Sequence, residues 1–153
     1  MVGALKQRVA DEMKAALLGG DRFVGETLRN LKAAILNEEV AAGKRDEGLS
    51  DNEIEKVIAR EVKKRAESAK IYRDNNRPEL AEPEEQEATI LKAFLPEQLS
   101  EDDLRKIIKQ KIAELDASGP GAMGQVIGVV KGVVGNTADG AMIASIVKET
   151  LSN

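Results

Sequence analysis

Apolar residues recur every three or four positions along most of the chain, and no run alternates polar and apolar over strand length. Leu5, Val9, Met13, Ala16 and Leu17 predict a helix over roughly residues 3–18, stopped by Gly19-Gly20. After Asp21, a residue suited to N-capping, Val24, Leu28, Leu31 and Ile35 carry a second helix to about Ala42. Gly43 to Leu49 reads as a polar loop, and Ser50-Asp51-Asn52-Glu53 as a capping box for a third helix reaching about Asn75. Pro78 and Pro83 are expected to chop the following stretch into short pieces, so the fourth helix is placed at Glu84 to Leu95. Leu95-Pro96 is the sharpest boundary. Ser100-Glu101-Asp102-Asp103 is expected to form a second capping box for a helix with Leu104, Ile107, Ile108, Ile112 and Leu115 at core spacing. Beyond Gly119-Pro120 comes a glycine-striped helix, a turn over Asn136 to Gly140, and a last helix with Met142, Ile143, Ile146, Val147 and Leu151. The fold class is therefore all-α: an N-terminal four-helix domain over residues 1–95 and a C-terminal three-helix tail over residues 96–153.

The glycine-striped segment departs from ordinary helix chemistry. Residues 119–140 hold seven of the chain's thirteen glycines, and Gly121, Gly124, Gly128, Gly132 and Gly135 step by three or four. On a helix they fall within an arc of about 80°. Met123, Val126, Ile127, Val129, Val130, Val133 and Val134 take the opposite side. Each interior glycine costs about 0.8–1.0 kcal/mol relative to alanine, so close approach by another body is the expected compensation. That body is either a neighbouring helix, through small-residue packing, or a polar surface such as a sugar–phosphate backbone. Gln125 and Lys131 border the stripe and suit the second alternative. The candidate contact set is Gly124, Gln125, Gly128, Lys131 and Gly132.

Composition narrows the chemistry. The chain has no cysteine and no histidine, which excludes thiol nucleophiles, Cys/His zinc sites, disulfides and imidazole acid–base catalysis. No catalytic residue, metal site or cofactor is read from it. The acidic group Glu82, Glu84, Glu85 and Glu87 is expected to occupy the first turn of a helix, where carboxylates complement the macrodipole. Lys56, Arg60, Lys63 and Lys70 share one side of the third helix. They form a secondary basic strip, either phosphate-tracking or a solvated side laced with ion pairs. A net charge of −4 argues against a generic polyanion binder, and DNA is not expected as a partner. The opening Met1-Val2-Gly3-Ala4-Leu5-Lys6 has no apolar leader, and no segment is long enough to span a membrane. A cytoplasmic location is expected.

Six segments resemble a known family. They are Thr27-Leu28-Arg29-Asn30-Leu31-Lys32-Ala33-Ala34-Ile35, Lys64-Arg65-Ala66-Glu67-Ser68-Ala69, Arg77-Pro78-Glu79-Leu80-Ala81, Leu95-Pro96-Glu97-Gln98-Leu99-Ser100, Met123-Gly124-Gln125-Val126 and Ala138-Asp139-Gly140. In this order they resemble the GatB/YqeY family. The tail is similar to the C-terminal domain of the B subunit of glutamine-dependent Asp-tRNA/Glu-tRNA amidotransferase, which helps hold tRNA. The resemblance implies a non-catalytic accessory protein that binds tRNA, or docks on a translation-linked partner, through the Gly124–Gly132 region. Family labels of carbon–nitrogen ligase activity look inherited from the larger enzyme. Asn136-Thr137 stand where the family tends to carry Lys or Arg. The alternative reading is a helical protein–protein adaptor that docks through the three-helix module.

Overall fold

A computed structural model describes residues 3–152; Met1 and Val2, where the reading of the leader begins, and Asn153 lie outside the described residues. Those described residues hold α-helices and short 3-10 turns and no strand. The helices are α1 (Ala4–Leu18), α2 (Arg22–Ala41), α3 (Asp51–Asp74), α4 (Pro78–Lys92), α5 (Glu101–Leu115), α6 (Met123–Val134) and α7 (Gly140–Ser152). They fall into two compact units, Met1–Leu95 and Pro96–Asn153. No helix among the described residues is long and apolar enough to cross a membrane.

In the first unit, local chemistry sets most helix ends. Gly20 takes a positive φ after α1, and the Asp21 carboxylate accepts the Val24 N–H at the start of α2. Ser50 and Glu53 form a reciprocal capping box at α3. Val9, Leu28, Leu31, Ile35, Ile54, Ile58 and Leu91 pack as an aliphatic core, closed by Phe94. The Arg8 guanidinium lies 4.6 Å from the centre of the Phe94 ring and donates to the Ala93 carbonyl. Gly25 lets α1 and α2 approach closely, since a Cβ there would overlap the Leu17 side chain.

The fourth helix corrects the sequence expectation. It starts at Pro78, not Glu84, and continues through Pro83 to Lys92. Pro78 takes the first helical position, where its missing N–H costs nothing. Pro83 sits inside and removes one helical hydrogen bond, a penalty that cross-helix packing outweighs. Ala81 and Ala88 are buried, as is Ala69 on α3, and small side chains bring backbones together. Arg65 donates to Glu87 at 2.9 Å, and Arg73 pairs with Glu85. Glu82, Glu84, Glu85 and Glu87 therefore lie beyond the first turn and, for two of them, on arginines of α3. Burial, then the neighbouring Glu87, pushes the Glu84 carboxyl above the usual carboxylate range, with Arg65 opposing. Since Pro83 is exposed, Pro83→Ala should stabilise this unit by about 1–3 kcal/mol in urea unfolding, by restoring the helical N–H.

The second unit packs α5, α6 and α7 around Leu104, Ile108, Val126, Val130, Val134, Ile143, Ile146 and Val147. Ser100 caps α5 by accepting the Asp103 N–H, but the expected reciprocal bond from the residue-103 side chain is not formed. Aspartate is one methylene shorter than the Glu53 that closes the box on α3. The segment entering α5 is tied to the α6–α7 turn. The Leu99 N–H donates to Thr137 O at 2.8 Å, and Gln98 Nε2 to Asn136 O at 3.0 Å.

Candidate functional site

Only Gly124, Gly128 and Gly132 of the expected five-glycine stripe lie within α6. Gly121 belongs to the 3-10 turn Pro120–Ala122, and Gly135 ends the helix with φ +56°, a conformation glycine adopts at little cost. The three helical glycines still keep within an arc of about 80°. All three are exposed, and a Cβ built at any of them meets no atom within 4 Å. Gly25 supplies the contrast, because there the missing side chain is used by Leu17. The α6 glycines thus lower helix stability without any packing return among the described residues of their unit.

The apolar side of α6 is narrower than the sequence suggests. Val126, Val130 and Val134 are buried, Met123, Ile127 and Val129 are half-buried, and Val133 is 56% exposed. On the helical wheel Val129 and Val133 continue the bare strip past Gln125, so the accessible surface is glycine backbone with an apolar margin. Gln125 and Lys131 are exposed on opposite borders. The stem of Lys131 lies along the start of α7, where a Cβ on Gly140 would stand 3.5 Å from Lys131 Cε. That is ordinary van der Waals contact, so the approach of Lys131 does not itself require glycine at the end of the Ala-Asp-Gly turn. Among the described residues the Lys131 amine has no salt-bridge partner. Asn136 and Thr137 are used structurally: their carbonyls accept from Gln98 and Leu99, and the Thr137 hydroxyl donates to Val134 O at 2.6 Å.

The basic strip belongs to the first unit. Lys56, Arg60, Lys63 and Lys70 are all exposed on one side of α3. Arg60 is engaged by Glu38 at 3.1 Å and Lys70 by Asp74 at 2.9 Å; the bond to Asp74 holds the Lys70 ammonium above its ordinary range. Lys56 and Lys63 have no salt-bridge partner among the described residues. Half the strip's charge is therefore answered within the unit.

Comparison with known proteins places these features in context. The family described as Yqey-like protein matches residues 6–151. "Altered inheritance of mitochondria protein 41, mitochondrial" of Clavispora lusitaniae is 30% identical over 93 residues, covering 61% of this chain and 52% of that protein. The protein of the same name from Lachancea thermotolerans is 28% identical over 111 residues, covering 71% and 58%. This chain thus spans little more than half the length of the curated relatives it matches. Their names overturn the expected cytoplasmic location, since both relatives are mitochondrial proteins by name. A lack of cysteine suits any reducing compartment and does not discriminate among them.

Proposed function

The chain belongs to the YqeY-like family, and on that premise we propose that it is a non-catalytic protein that holds tRNA against α6. One observation carries the reading: Gly124, Gly128 and Gly132 present open backbone that no described residue of their own unit covers. Such a strip admits a ribose–phosphate backbone to van der Waals distance, with Gln125 available to a 2′-hydroxyl and the unpaired Lys131 to a phosphate. Residues 1–95 are read as a helical N-terminal domain, and residues 96–153 as the module similar to the amidotransferase B-subunit tail. Two relatives are mitochondrial proteins by name, and mitochondria keep their own tRNA, so the tRNA offered in the test includes the mitochondrial pool.

The exposed Val133 beside the strip favours a second reading, docking of a protein helix by apolar burial. Salt separates the two. Binding of deacylated tRNA through about two to four phosphates should weaken with a log–log slope of roughly −2 to −4 between 50 and 200 mM salt. A flat response, or no tRNA binding at the lowest salt, removes the tRNA reading and leaves the adaptor.

A further inference from the structure

We propose that the outer side of α2 is a docking groove for an acidic amphipathic helix of another protein. Arg29, Lys32, Ala33, Leu36 and Val40 follow one another at spacings of one, three or four residues and form one exposed stripe along α2. Leu36 is 45% exposed and Val40 56%, high values for large aliphatic side chains. Beside them lies a partly open recess of about 260 Å³, lined by Lys6, Lys32, Ala33, Ile35, Leu36 and Glu39. From Arg29 to Val40 the stripe runs about 16 Å, the length of three helical turns.

Charge selects the occupant. Lys6 and Glu39 answer each other through two hydrogen bonds of 3.0 and 2.8 Å, and Arg22 answers Glu26 on the neighbouring turn. Arg29 and Lys32 have no salt-bridge partner among the described residues. The stripe therefore offers apolar surface with two unanswered cations at its N-terminal end, and its complement is an apolar helix side bordered by carboxylates. A second copy of α2 would bring Arg29 and Lys32 against residues with no free carboxylate. A nucleic acid would leave Leu36 and Val40 without a partner, and no aromatic side chain is there to stack on bases.

The test titrates the full chain with a helix-forming peptide of about 18 residues carrying Leu at three- and four-residue spacing and Glu on both flanks. A second peptide has Lys in place of Glu. Methyl resonances of Ala33, Leu36 and Val40 report binding. The acidic peptide should bind at least about tenfold tighter than the basic one. Arg29→Glu with Lys32→Glu should invert that preference. Leu36→Ser with Val40→Ser should weaken the acidic peptide about tenfold at unchanged helical circular dichroism. If the serine variant loses helicity, the charge reversal decides alone. Equal affinity for both peptides, or a preference that survives the reversal, overturns the proposal. So do methyl shifts that grow with protein concentration alone, or that tRNA produces. The readout sits in the first unit and the tRNA contact in the second, so either reading can fail without the other.

Discussion

Replacing Gly124, Gly128 and Gly132 together by alanine should stabilise the Pro96–Asn153 unit by about 2–3 kcal/mol while weakening its hold on tRNA. Each position is helical and has open space where the new Cβ would sit. The substitution therefore removes the entropic cost of glycine and adds no clash. In a unit of this size the gain corresponds to an upward shift of the thermal midpoint of roughly 15–25 °C. Gly128→Leu extends the argument: it should leave helical circular dichroism intact and reduce tRNA affinity by about tenfold or more, because a branched side chain then stands in the middle of the bare strip. Calorimetry and a binding titration on the same preparations check both halves. Stabilisation with undiminished tRNA binding would falsify α6 as the contact surface. Destabilisation would instead mean that something in the folded chain already uses the space.

Removing the partner of Glu39 has the largest expected effect on the first unit. Glu39 is 1% exposed, yet it is charged, and three hydrogen bonds hold it: two from the Lys6 ammonium, one to each carboxylate oxygen, and one from the Leu49 N–H at 3.1 Å. Burial pushes its carboxyl up, but the hydrogen bonds from Lys6 and Leu49 and the Lys6 charge together outweigh that and hold it below the ordinary 4.5. The contact fastens the α2–α3 loop to the start of α1 and the end of α2. Gly48, with φ +79°, lets the loop backbone pass the carboxylate, since a Cβ there would stand 3.3 Å from it. Lys6→Met should cost about 3 kcal/mol at neutral pH, because it leaves a buried charge without its cation. Glu39→Gln should cost less, since the amide oxygen still accepts from Leu49.

The pH dependence separates these variants. In the native protein the folded carboxyl titrates below its unfolded value. Its contribution is therefore complete above about 4.5 and is lost as pH falls through the depressed folded value. With Lys6→Met the sign reverses: burial then dominates, the folded carboxyl is raised, and the penalty shrinks as pH falls through that raised value. Urea unfolding at neutral pH and near pH 4 should show the gap between native and Lys6→Met narrowing on acidification. A gap that stays constant would mean that Glu39 is not the group left uncompensated.

Features set by neighbours along the chain were legible in the sequence. The apolar period gave an all-helical fold, and Gly20, Asp21, Ser50 with Glu53, and Ser100 lie at the helix ends where their turn and capping chemistry places them. Those interactions join residues within about four positions, the reach of one helical turn. Spacing placed the α6 glycines on one side of a helix but left open whether a neighbouring helix covers them; the fold of their unit leaves Gly124, Gly128 and Gly132 open, makes Gly135 a helix terminator and puts Gly121 in a 3-10 turn. What tertiary structure decided came from partners far apart in sequence. Lys6 lies 33 positions from the Glu39 it holds, and Arg65 lies 22 from Glu87. Burial of Ala69 and Ala81, with the Arg65–Glu87 and Arg73–Glu85 ion pairs, carries α4 through Pro83 against its local preference. Answering charges on α2 and α3 likewise fix which cations of the first unit are engaged and which stay free. A local pattern records what one turn of helix can satisfy; only the folded chain brings distant charges and small side chains within a few ångströms, where burial makes their pairing count.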